Sequence, residues 1–180
     1  MLRDVLTKTL YDQRRSLVAW SVSLVLLVGM YVAVWPSVRD QPTMSDFLDQ
    51  MPDAFRSLFA ASGADMSTAV GYVQIELMSF MGPIVVLIYA IGAAASGLAG
   101  EEDRHTMDSL LANPVSRARV VLDKGAAMVL GTLLLATVMG AALLLEGRLT
   151  DLSLPTGNVV AAMLHLALLG VVFGASPLTA

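Results

Sequence analysis

Apolar residues gather into four long runs along the chain, at 16–35, 72–98, 125–145 and 158–176, and nearly all the charges fall between them. Each run is about the 20 residues that a helix rising 1.5 Å per residue needs to cross a hydrocarbon core of roughly 30 Å. The runs are continuous, without the apolar–polar alternation of barrel strands, so the pattern predicts helices. A helix also satisfies its own backbone hydrogen bonds, which lipid cannot do. The expected fold class is therefore all-α, a polytopic transmembrane helical bundle of four spans.

Composition strengthens this reading. Of 180 residues, 56% are hydrophobic and 14% charged, against roughly a quarter charged in soluble domains. Mean hydropathy is +0.71. This balance excludes a disordered chain and a basic nucleic-acid binder, and the absence of cysteine excludes a disulfide scaffold. Net charge is only −4, but the placement of basic residues is informative. Arg3, Lys8, Arg14 and Arg15 precede the first run, and Arg104, Arg117, Arg119 and Lys124 lie in loop 99–124. Loop 36–71 holds Arg39 and Arg56 against five aspartates, and loop 146–157 holds Arg148. Eight of the eleven basic residues thus fall on one side, so the positive-inside rule places the N-terminus and loop 99–124 in the cytoplasm and the other loops outside. The first run exceeds a signal-peptide core and is followed by no small-residue cleavage pattern, which makes it a retained anchor.

The connecting segments carry weaker patterns. Leu2, Val5, Leu6 and Leu10 recur at helical spacing, predicting an amphipathic N-terminal helix able to lie in the interface. In loop 36–71, Phe47, Leu48, Met51, Phe55, Leu58 and Phe59 predict two short helices. Ser45 would cap the first, Pro52 would divide the pair and Ser62-Gly63 would end the second, giving an apolar lid. Loop 99–124 reads as a short helix with Met107, Leu110 and Leu111 on one stripe and an acidic cluster at its front, where the dipole favours it. Asn113-Pro114 stops that helix, and Ser116 can cap a second one carrying Arg117, Arg119 and Lys124 into the third span. Spacing alone permits a plain topological anchor or a docking element for a cytoplasmic partner.

The same loop resembles a known family. Gly100-Glu101, Thr106, Leu110-Leu111, Pro114-Val115-Ser116-Arg117 and Lys124 follow in order and at similar distances the pattern of type 2 ABC transporter permeases, chiefly bacterial drug and antibiotic exporters. The Arg14-Arg15-Ser16-Leu17 to Trp20 approach to the first span is also similar, and the resemblance extends over the whole chain. It implies a membrane permease subunit of an ABC exporter in the bacterial plasma membrane, forming the substrate pathway and coupling to a separate cytoplasmic ATPase. Glu101, Thr106, Leu110, Leu111, Pro114, Arg117 and Lys124 are then the ATPase-coupling residues or their support. A homodimer or paired permease is implied, with lipid as surroundings and no nucleic-acid partner. No Gly-x-x-x-x-Gly-Lys-Ser/Thr sequence occurs, so the chain reads as a transport subunit rather than an enzyme, with no cofactor. Members usually have six spans, and this chain reads as one cut short after the fourth. The alternatives are a membrane scaffold or assembly protein outside the ABC class, or an inactive permease fragment.

Few polar groups enter the spans. Glu76 falls about a turn inside the second, where snorkelling and the positive helix end stabilise it. His165 in the fourth is expected as a neutral imidazole bonded inside the bundle. With His105 the only other histidine, no metal site is expected. Gly92 with Ser96, and Ala93 with Gly97, are small pairs four apart that let helices approach, and Gly131, Gly140 and Gly170 offer similar notches, within the chain or across a homodimer seam.

Overall fold

The computed structural model describes residues 5–39, 52, 66, 68–102 and 117–176. Among these no strand occurs, and four helices are long and apolar enough to cross a membrane. The first is α1 (Val5–Arg39). The second span is composite, with α2 (Ala69–Val73), a π-helical segment (Gln74–Met81) and α3 (Gly82–Glu102). The third and fourth are α4 (Arg117–Gly147) and α5 (Thr156–Ala175).

The amphipathic stretch before the first run does not form a separate helix, because α1 runs unbroken from Val5. Pro36 lies inside α1 rather than ending it. Its ring removes one backbone donor, and the helix continues past it through Arg39. The apolar lid expected over 45–63 lies outside the described residues.

Each span is apolar all round but buries only one stripe. In α1 that stripe is Leu17, Leu24, Val28, Val32 and Trp35, at the three-, four- and seven-residue spacing of one helix face. Val18, Val22, Leu26, Met30 and Val34 stay exposed on the others. Such exposed hydrocarbon is unfavourable in water and neutral in lipid, and an apolar surface without a polar face marks a membrane helix.

Leu17 lies beside Gly131 and Glu146 beside Gly29, so α1 and α4 run parallel. Gly140 faces Met163 and Gly174 faces Met128, so α4 and α5 are antiparallel. Gly170 and Gly174 meet Val86 and Ala90, which sets α3 parallel to α5. The helix α4 is central, touching α1, α3 and α5. Lipid supplies no hydrophobic drive between helices, so close van der Waals packing must hold them. A methyl group on Gly170 would stand 2.6 Å from Val86 Cγ1 and 2.9 Å from Thr132 Cγ2. That crossing is as tight as a glycine permits.

At one end of the bundle a short turn joins α4 to α5. The Leu152 N–H donates to the Gly147 carbonyl at 2.9 Å, and Asp151 takes the left-handed conformation at φ 54°. Leu152 is buried beneath the turn. Arg39 of α1 lies at this level, 3.9 Å from Asp151. At the opposite end, α3 and α4 emerge on either side of residues 103–116.

Candidate functional site

The stretch that carries the sequence signature falls between two described helices. Glu101 and Glu102 continue the backbone of α3, so they are not the front of a separate helix. Beyond residues 103–116, α4 is described from Arg117, and Arg119 lies on it.

Of the seven expected coupling residues, Glu101 lies on α3 and Arg117 on α4, with Lys124 two turns beyond Arg117. Thr106, Leu110, Leu111 and Pro114 lie outside the described residues. Lys124 is buried, with only 6% of its surface exposed, whereas Arg119 is exposed. A side chain so enclosed does not offer its ammonium on an open surface. Beyond Lys124 the helix continues without interruption to Gly147.

The second span differs in kind. Between Gln74 and Met81 its hydrogen bonds skip to the fifth residue, and the Gly82 N–H donates to the Leu77 carbonyl. Pro83 explains this register. It has no N–H, and its ring crowds the carbonyl four residues back, at Ser79. The wider turn relieves that clash, and Gly82 fits because a methyl group there would meet the Leu77 oxygen at 2.8 Å. The Ser79 hydroxyl donates to Gln74 O at 2.7 Å, again five residues back. Before this segment, Thr68 caps α2 by accepting from Gly71 N at 3.1 Å.

The π segment has two different flanks. On one, Gln74 and Met78 join Val73, Leu143, Asn158 and Met163 around a lateral groove of about 240 Å³. It is apolar except for the Gln74 and Asn158 amides, so it suits hydrocarbon with one polar substituent. On the other, Tyr72 lies against Tyr31 and Trp35 of α1. The Tyr72 hydroxyl donates to Tyr31 O at 2.8 Å, and the Trp35 and Tyr72 rings lie 5.2 Å apart.

A family model described as ABC-2 family transporter protein matches residues 3–178. The chain belongs to this family. Neither a curated protein nor a solved structure gives a significant match. The ABC-2 assignment, with four helices able to span, makes the chain a multi-pass membrane protein and a permease subunit of an ABC transporter.

The remaining polar groups of this ABC-2 chain fall in unexpected places. His165 is exposed, and its Nδ1–H donates to Ala161 O of its own helix at 2.7 Å, so it does not bond inside the bundle. Gly131, Gly140 and Gly170 are filled by Tyr89, Met163 and the Val86–Thr132 pair of the same chain. Gly92 instead has open space above it, with Ser96 exposed one turn on. Helical periodicity registers neither the π segment nor the burial of Lys124. The Gly82-Pro83 pair within an apolar run is the signal for the first; the second has none, because Lys124 precedes the run.

Proposed function

We propose that this chain is the membrane subunit of an exporter in the bacterial plasma membrane, with its 99–124 loop seated on a separate cytoplasmic ATPase. The supporting observation is the family-model match, which runs over residues 3–178 and so takes in the whole of that loop. Leu110 and Leu111 would supply an apolar ridge to the partner, with Glu101 and Arg117 flanking it, Thr106 and Pro114 shaping it and Lys124 as buried support.

No bond is made or broken by this chain in such a scheme. ATP-driven closure of the partner would displace the loop, and α4, helical from Arg117 to Gly147 and packed on three neighbours, would carry the displacement through the bundle. The lateral groove at the π segment would offer an apolar stretch of the substrate path. Pairing with a second permease copy fits the open Gly92–Ser96 face.

The test is co-expression with the candidate ATPase and detergent-stable capture, with and without Leu110→Asp/Leu111→Asp. Capture of the ATPase by the unaltered chain and its loss in a correctly inserted double variant is the expected result. Undiminished capture by the double variant would remove the loop from the docking surface.

A further inference from the structure

The turn between α4 and α5 borders a polar cavity of about 340 Å³, with Arg148, Asp151, Ser153 and Thr156 in its wall. Arg148 follows the last residue of α4 and Thr156 is the first of α5, so the cavity lies where two apolar spans meet the membrane surface. A groove of about 420 Å³ runs from it between α4 and α5. Leu144 lines both spaces, so the two adjoin. Val160 and Leu164 put this groove on the opposite flank of α5 from Asn158 and Ala162, which border the groove at the π segment.

Along α4 the groove reaches from Leu144 to Leu133, about 16 Å at 1.5 Å per residue. That is the depth of one leaflet in a hydrocarbon core roughly 30 Å thick. The short side chains of Ala136, Gly140 and Ala141 leave the trough between the two leucines. Its one hydroxyl, on Thr137, is bonded to Leu133 O at 2.7 Å, so the groove suits hydrocarbon alone. The charges above it are little used within the chain. Arg148 makes no hydrogen bond or ion pair with another described residue. Asp151 meets Arg39 at 3.9 Å, with 87% of its side chain exposed.

The plain account is an arginine at the membrane surface meeting whichever phosphate passes. That account covers Arg148 by itself. It leaves unexplained a cation and an anion that share one cavity wall without pairing, above a groove one leaflet deep. A phospholipid with an amine headgroup fits each part. Its phosphate suits the guanidinium, its ammonium the carboxylate, and one acyl chain the groove. The start of α5 adds to the phosphate side, since no side chain caps it at Pro155 and a helix N-terminus carries positive partial charge.

We propose that the polar cavity and the α4–α5 groove together bind phosphatidylethanolamine, with Arg148 on the phosphate, Asp151 on the ammonium and one acyl chain between the helices. The site goes beyond the transport reading and needs neither the loop nor an ATPase.

The test presents phosphatidylethanolamine and phosphatidylcholine of identical acyl chains to the purified full chain in detergent, and reads bound lipid by native mass spectrometry. One saturable phosphatidylethanolamine per chain is expected. Phosphatidylcholine should bind about threefold more weakly, because methylation removes the ammonium hydrogens and an exposed pair contributes little. Arg148→Gln should weaken phosphatidylethanolamine by about tenfold, or 1.4 kcal/mol, and Asp151→Asn should abolish the preference between the lipids. Ala141→Phe fills the groove away from both charges. It should weaken binding as much as Arg148→Gln does, with Tm in lipid-free detergent unchanged. Glycerophosphoethanolamine, the same headgroup without chains, should not displace the lipid at equal concentration. Equal binding of the two lipids, no saturable lipid, displacement by the free headgroup, or unchanged binding to a folded Arg148→Gln or Ala141→Phe chain would each overturn the site. So would efficient disulfide formation between copies of a Val160→Cys chain, which has no other cysteine, in vesicles of the two lipids, because a second copy would then cover the groove. The comparison of lipids needs no variant. With no ATPase present, failure here leaves the loop-docking experiment standing, and failure of docking leaves this one standing.

Discussion

The tightest crossing in the bundle gives its sharpest stability prediction. Tyr89 of α3 is buried, its ring packs edge-on against Trp20 of α1 at 5.9 Å, and its hydroxyl lies over Gly131 of α4. That hydroxyl has no hydrogen-bond partner. In Gly131→Ala the new methyl group would overlap the hydroxyl oxygen and stand 3.0 Å from Tyr89 Cζ and 3.4 Å from Leu17 Cδ2. Alanine gains about 1 kcal/mol of helix propensity over glycine. Overpacking costs roughly 1–3 kcal/mol, and loosening the aromatic pair about 0.5–1.5 kcal/mol more. Taking the middle of these ranges, the net loss is about 2 kcal/mol. For a chain of this size that lowers Tm by about 4–8 °C. Tyr89→Phe removes the obstructing atom together with an unsatisfied buried hydroxyl, whose desolvation costs about 1–3 kcal/mol. It should therefore leave Tm unchanged or raise it, and should recover at least half of the Gly131→Ala loss in the double variant. Thermal unfolding of the purified chain, followed by Trp20 fluorescence in a Trp35→Phe background, measures all four corners of the cycle. Gly92→Ala, with open space around its new methyl group, is the control and should not lower Tm. If Gly131→Ala behaves like Gly92→Ala, or the double variant shows no recovery, Tyr89 does not fill the Gly131 notch and α3 and α4 do not meet this closely.

Other perturbations reach other elements. Pro83→Ala restores a backbone donor and removes the ring that crowds Ser79, so the π segment should relax toward α register and turn the residues before it by up to roughly 100°, one residue of α-helix. A cysteine pair introduced at positions 31 and 72, in a chain with no cysteine of its own, should be bridged by a short bifunctional maleimide in the parent and lose most of that in the Pro83→Ala chain; unchanged bridging would separate the π register from proline. In the α4–α5 turn, Asp151→Gly should be neutral or stabilising and Asp151→Val destabilising by about 1–2 kcal/mol, since the left-handed conformation is costly for a branched side chain; chemical denaturation in mixed micelles compares them. Asp151→Asn should change stability by less than about 1 kcal/mol, because the contact with Arg39 is solvent-exposed.

Four spans are legible because hydrocarbon thickness imposes a length, and length survives in sequence as uninterrupted apolar runs. What turns on local backbone chemistry is less visible. The acidic pair at 101–102 reads as the front of a new helix if the second span ends with its apolar residues. The backbone instead continues through Glu102, because a helix once begun extends cheaply, by one hydrogen bond per residue. For the same reason α1 absorbs its amphipathic beginning. A histidine in an apolar run invites the expectation of a partner inside the bundle, but for His165 a carbonyl four residues back on its own helix satisfies the ring without any neighbour. The glycines do act as notches, yet only the packed helices separate those filled within the chain from Gly92, which is not.

The two helices on either side of residues 103–116 are mechanically unlike, and this bears on how a docked ATPase could act. The helix α4 has no break in 31 residues. Its contacts lie on α1, α3 and α5, so a push along it shifts the centre of the bundle as one body. The second span is α-helical for 21 residues in α3 and then changes register at Gly82-Pro83. A turn of different width has a different rise and rotation per residue, so this is where strain between a fixed α3 and a fixed α2 can be absorbed. Tyr72 stands on that side of the break, anchored to α1 by the Tyr72–Tyr31 bond. Under the proposed coupling, a displacement that reaches α3 is therefore taken up between Gly82 and Tyr72, where the wider turn can change its rotation without pulling α2 away from α1.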